Sequence, residues 1–85
     1  MKHAGAGALE ALGDLLAGLR GARAAIVEKR PGIFYRKGKA FLHFHEDPAG
    51  LFADLRTGGD WQRLPVNSPE ERAILLALVD RSNPP

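Results

Sequence analysis

Residues 32–66, GIFYRKGKAFLHFHEDPAGLFADLRTGGDWQRLPV, decide the fold. The stretch reads as four short strands joined by three tight turns. A two-residue turn at Lys37-Gly38 uses the access of glycine to positive φ. It sets Arg36 against Lys39, Tyr35 against Ala40, Phe34 against Phe41 and Ile33 against Leu42. A second turn falls on Asp47-Pro48-Ala49-Gly50, all residues that favour turns. It sets Glu46 against Leu51, His45 against Phe52, Phe44 against Ala53, His43 against Asp54 and Leu42 against Leu55. A third turn at Thr57-Gly58-Gly59-Asp60 sets Arg56 against Trp61, Leu55 against Gln62, Asp54 against Arg63 and Ala53 against Leu64.

Side chains on a strand alternate between its two faces. These registers therefore place Ile33, Tyr35, Ala40, Leu42, Phe44, Leu51, Ala53, Leu55, Leu64 and Val66 on one, nearly all apolar, face. The other face receives Phe34, Arg36, Lys39, Phe41, His43, His45, Phe52, Asp54, Arg56, Trp61 and Arg63. The turns follow from turn chemistry alone, yet the faces separate. A slip of one residue at any turn would mix them.

Outward from the meander, Leu9, Leu12, Leu16 and Leu19 recur at helical spacing, flanked by Leu15. A helix from Ala8 to Arg20 is predicted, with Gly21 as its stop. Gly13 and Gly18 lower its intrinsic helicity by roughly 1 kcal/mol each, so it depends on docking. Residues 1–7 are small and glycine-rich and are expected to be loose. Ala24-Ala25-Ile26-Val27 is a candidate first strand. Ser68-Pro69-Glu70-Glu71 opens a second helix, with a capping box between Ser68 and Glu71 and proline at the first helical position. Ile74, Leu75, Leu78 and Val79 form its predicted buried stripe, and Asn83-Pro84-Pro85 its end. The expected fold is a single α+β domain over residues 1–85. It has two layers: an antiparallel meander of four to five strands, and an N-terminal and a C-terminal helix on its apolar face.

The chain contains no cysteine, which excludes disulfides and thiol chemistry. No apolar run approaches the roughly 20 residues that span a bilayer. The start, with acids at Glu10 and Asp14, lacks the form of a signal peptide. A cytoplasmic location is the expectation. The formal charge is only +2, but residues 20–39 carry seven bases against the single acid Glu28. Such asymmetry suits either a solvated sheet edge or an anion-binding surface.

His43-x-His45 is the sharpest chemical pattern. Residues i and i+2 share a face about 6.7 Å apart at Cα, so both imidazoles can reach one zinc ion. Asp47 lies too far along a straight strand to join them. His43 is predicted to pair with Asp54 across strands, with an elevated pKa, and His45 to stack on Phe52. No nucleophile accompanies the pair, so the reading leans away from an enzyme. The rings Phe34, Phe41, Phe52 and Trp61 among Arg36, Lys39, Arg56 and Arg63 suit a stacking platform for single-stranded nucleic acid. They also suit a two-fold homodimer that buries the rings and leaves the arginines at the rim.

The segments Gly32-Ile33-Phe34, Gly38-Lys39-Ala40-Phe41-Leu42-His43-Phe44-His45, Ala53-Asp54-Leu55, Trp61 and the closing leucine-rich helix resemble a small bacterial domain family labelled "luciferase domain". The resemblance spans residues 30–80, and His43-x-His45 is its sharpest feature. Family members carry a longer insert with a further histidine between the Asp-Leu pair and the tryptophan. Here residues 56–60 stand in its place. The resemblance implies no settled activity, but it directs attention to His43 and His45. The functional expectation is a non-enzymatic domain that self-associates or binds a partner through its aromatic and basic face. Nucleic-acid or anion binding on that face, and zinc at His43 and His45, are the alternatives.

Overall fold

The computed structural model describes residues 2–21 and 26–81. Its elements are β1 (Lys2–His3), α1 (Ala6–Ala11), α2 (Gly13–Arg20), β2 (Val27–Arg30), β3 (Ile33–Arg36), β4 (Lys39–Asp47), β5 (Gly50–Thr57), β6 (Asp60–Pro65) and α3 (Pro69–Arg81). Strands β2 to β6 form an antiparallel meander in sequence order, and β1 adds to β4. Leucines of the N-terminal helices and Leu75 and Val79 of α3 close over one sheet face, where Phe44, Ala53, Leu55 and Val66 are buried. This is the expected two-layer α+β architecture. No helix among the described residues is long and apolar enough to cross a membrane.

The second and third hairpins hold the predicted register at every pair, from Asp47↔Gly50 to Leu42↔Leu55 and from Thr57↔Asp60 to Ala53↔Leu64. The first begins as predicted. Lys37 (φ 52°) and Gly38 (φ 79°) both take positive φ, as a type I′ turn requires, and Arg36 faces Lys39. The ladder then slips. Tyr35 pairs with Ala40, but Phe34 pairs with Leu42 and Ile33 with His43, so Phe41 is an extra residue in β4. A β-bulge of this kind leaves one residue unpaired and shifts the partner strand by one position.

That slip corrects the assignments of Phe34, Phe41 and Ile33. Phe34 shares the helix-covered face with Leu42 and is only 1% exposed, instead of lying on the open face. Phe41 is 5% exposed and belongs to the same core cluster. Ile33 moves to the face of His43 and is half-buried. The physical reason is core demand: burying a phenylalanine contributes roughly 1.5–3 kcal/mol, and the bulge admits both rings without moving β4 against β5.

The N-terminal helix is two helices bent at Leu12 (φ −92°, ψ 11°), just before Gly13. The bend keeps Leu12, Leu15, Leu16 and Leu19 buried. The capping box of α3 forms as predicted, with Glu71 N donating to Ser68 Oγ (3.1 Å) and Ser68 N to Glu71 Oε1 (3.0 Å). Leu75 and Val79 are buried, whereas Ile74 is 56% exposed. In the N-terminal stretch expected to be loose, Lys2 and His3 pair with Glu46 and His45, and Ala4 N donates to Phe44 O (3.1 Å). The first strand expected at Ala24-Ala25-Ile26-Val27 starts instead at Val27; Ala24 and Ala25 lie outside the described residues, as do Asn83, Pro84 and Pro85.

Glu28 ties the meander to the helical layer. Its carboxylate accepts from Arg20 Nε (2.6 Å), Arg20 Nη2 (2.9 Å) and Gly32 N (2.9 Å). Gly32 has φ 76°, a conformation that favours glycine, and a Cβ there would stand 2.6 Å from Leu9 Cδ2, so the Leu9 side chain would have to move. The Arg20 guanidinium, foremost, holds the Glu28 carboxyl below its ordinary range against the opposing effect of burial.

Two outcomes follow from these placements. Phe34→Ala should cost about 3–5 kcal/mol in urea unfolding, and Ile33→Ala less than about 2 kcal/mol. The reverse order would place the bulge elsewhere. Because the Glu28 pKa is depressed in the fold, its contribution is complete above about pH 4.3 and lost as pH falls through the folded value. The stability gap between wild type and Glu28→Gln should therefore narrow from pH 7 to pH 3; a gap that stays constant contradicts the role.

Candidate metal centre

Strands β4, β5 and β6 bring His43, His45, Asp54 and Arg63 together on the face away from the helices. Asp54 stands directly across from both His43 and Arg63. It is buried, and Arg63 grips it with both prongs: Nε to Oδ1 at 2.8 Å and Nη2 to Oδ2 at 2.9 Å. This charge-assisted pair is the main reason the Asp54 carboxyl lies below its usual range, against burial, which pushes it up.

The expected His43–Asp54 bond is displaced by a diagonal one. His45 Nε2 lies 2.9 Å from Asp54 Oδ2, whereas His43 Nδ1 lies at 3.9 Å. Strand side chains lean along the strand, so a residue two positions away can outreach the one opposite. His43 Nδ1 meets His45 Nε2 at 2.8 Å instead. Two imidazole nitrogens and one carboxylate oxygen thus converge with separations of 2.8, 2.9 and 3.9 Å. Donors around a tetrahedral zinc, at roughly 2.0–2.1 Å, stand about 3.3 Å apart, the middle of that range.

His3 completes the group. Beta pairing sets it against His45, with ring centroids 4.9 Å apart and nearly stacked; its ring is 5.6 Å from that of His43. One ligand nitrogen from each of His3, His43 and His45 lies within 4.8 Å of the other two. His3 is exposed, His43 is half-buried and His45 is buried. Nothing local in the sequence marks His3, which lies forty residues from His43. The usable signal was global: the chain has three histidines, and two already shared a face.

His45 Nε2 lies within hydrogen-bond distance of both Asp54 Oδ2 and His43 Nδ1, and His45 Nδ1 is buried with no hydrogen-bond partner among the described residues. A divalent cation held by these residues would set one charge facing their lone pairs. Arg63, which donates to both oxygens of Asp54, fixes the orientation of that carboxylate. Asp47 takes no part; its Oδ1 accepts from Ala49 N (2.9 Å) and shapes the turn.

The other expected face residues divide. Trp61, 41% exposed, packs against His43 (4.6 Å) and under the Arg56 guanidinium (4.5 Å). Phe52 lies across from His45 and is half-buried. Arg36 and Lys39 sit at the tip of the β3–β4 hairpin, where the Arg36 guanidinium covers the Phe41 ring (5.4 Å). With Phe34 and Phe41 in the core, no continuous platform of four rings exists.

The environment of His43 opposes the elevated pKa expected from the sequence. Burial, foremost, and the neighbouring His45 push it below the ordinary histidine value, aided by His3 and Arg63; Asp54 pulls the other way. Disfavoured protonation means that the stabilising contribution of neutral His43 is complete above about pH 6.5 and fades as pH falls through the lower folded value. An NMR titration of the metal-free protein should place His43 below an unstructured histidine; a value at or above it contradicts this environment.

Compared with protein-family models, curated proteins and solved structures, the chain matches none.

Proposed function

We propose that this domain binds a divalent transition-metal ion through His3, His43 and His45, with Asp54 as the fourth donor. The convergence of three imidazoles within 4.8 Å carries the reading. Imidazole and carboxylate donors suit zinc and the late first-row divalent ions, and the absence of cysteine removes thiolate ligation. A four-donor set fills a tetrahedral ion, as structural zinc sites do, and leaves no position for a reacting water. The ion serves here to hold the N-terminal strand on the sheet and present a fixed charged face, without catalysis.

The homodimer expectation rested on four open rings. Two of them are core residues, so its remaining support is Phe52 and Trp61, and metal binding is the better-supported use of the face.

Zinc at about 100-fold above its Kd should add about 2.7 kcal/mol to stability, raising Tm by roughly 10–20 °C in a domain this small. Cobalt should give the visible d–d bands of four-coordinate Co(II), and Cu(II) should quench Trp61. His3→Ala, an exposed change, should leave the metal-free Tm unaltered yet weaken binding by more than about 10-fold. Absence of saturable one-to-one binding, or an affinity unchanged from wild type in both His3→Ala and His43→Ala, would reject the site.

A further inference from the structure

A second feature lies at the end of the sheet that carries the β3–β4 and β5–β6 turns. The paired register of β4 with β5 reaches Leu42↔Leu55 and goes no further. Beyond it, the bulge at Phe41 parts the two hairpin tips. Between them lies a cleft of about 260 Å³ lined by Arg36, Lys37, Lys39, Phe41, Arg56 and the Gly58-Gly59 turn.

Four cations line this cleft and no carboxylate does. Among the described residues, none of the four takes part in an ion pair, whereas Arg20 and Arg63 each hold an acid. Asp60 adjoins Gly59 in sequence but does not line the space. Gathering like charges around one concavity is unfavourable unless an anion offsets them. The Arg56 guanidinium is also anchored, and that of Arg36 packs on a ring. Arg56 Nε donates to the carbonyl of Ala40 (2.8 Å), beside the bulge, and its plane lies over Trp61. Arg36 lies over Phe41. With Nε of Arg56 engaged, its terminal N–H groups remain as donors.

We infer that this cleft is a binding site for a phosphate group, carried by a small phosphorylated ligand or by a nucleic-acid backbone. Phosphate suits it better than carboxylate. A phosphomonoester brings about 1.5–2 negative charges where a carboxylate brings one, and the oxygens of a monoester or a diester match the planar fork of arginine. The volume lies just under the roughly 300–1,000 Å³ of pockets that enclose whole drug-sized ligands, so the site takes the phosphate and leaves the remainder of the ligand in solvent. The site involves none of the metal-centre donors and stands whether or not an ion binds there.

The test is calorimetric titration of the full chain at low salt with a chelator present, using pyrophosphate, then oligothymidylate, then acetate. Backbone amide shifts at Gly58 and Gly59 report the location. Pyrophosphate is expected to bind saturably, and the exposed double change Lys37→Gln/Lys39→Gln to weaken it about 10-fold or more, with Arg36→Gln weakening it again. Arg81→Gln, far along α3, should have no effect. If the oligonucleotide alone binds, with the same sensitivity and a log–log salt slope of about −2 to −3 for three or four phosphates engaged, the source is a phosphodiester backbone. No saturable binding of either probe, affinity unchanged in the double variant, or acetate bound as well as pyrophosphate would overturn the inference.

Discussion

The bulge at Phe41 is the constraint on which the two faces of the sheet depend. One unpaired residue lets Phe34 and Phe41 enter the core while β4 keeps its regular pairing with β5. A regular ladder would send Phe34 outward and Ile33 inward. The same irregularity leaves the Ala40 carbonyl for Arg56 and separates the hairpin tips. A choice made for packing thus also shapes the surface at that end of the molecule.

The opposite face is organised by a buried negative charge. Asp54 would be costly among rings and aliphatic side chains if it were unpaired. Arg63 neutralises it from β6, and the two β4 imidazoles crowd its other side. Burial and the surrounding groups keep His43 neutral, the form in which an imidazole offers a lone pair. Packing and electrostatics therefore act on the same cluster of nitrogens. His3 arrives by a different route, through β1, so the cluster joins the two ends of a forty-residue loop.

Much of this was legible from the sequence. Asp-Pro-Ala-Gly and Thr-Gly-Gly-Asp mark their turns by composition, and alternation then fixes every pair in β4–β5 and β5–β6. Ser68, Pro69 and Glu71 announce α3 by local chemistry alone. The bulge was not legible, because Ile33-Phe34 and Phe41-Leu42 are adjacent apolar pairs. Exchanging the members of either pair leaves a credible apolar face, so parity carries no information there. The bond from His45 to Asp54 depends on side-chain lean within an otherwise correct register. The contribution of His3 is a long-range contact from a stretch whose composition suggests only looseness.

The two residues of β1 have a consequence for assembly. Strand β3 covers β4 only as far as His43, and the remaining outer border of β4 is closed by Lys2, His3 and the amide of Ala4. Lift that short segment away and a row of unsatisfied peptide groups faces outward, a template on which a foreign strand, or the same segment from a sister molecule, can lie down. Whatever secures those few residues also guards the molecule against exchange and sheet-to-sheet stacking.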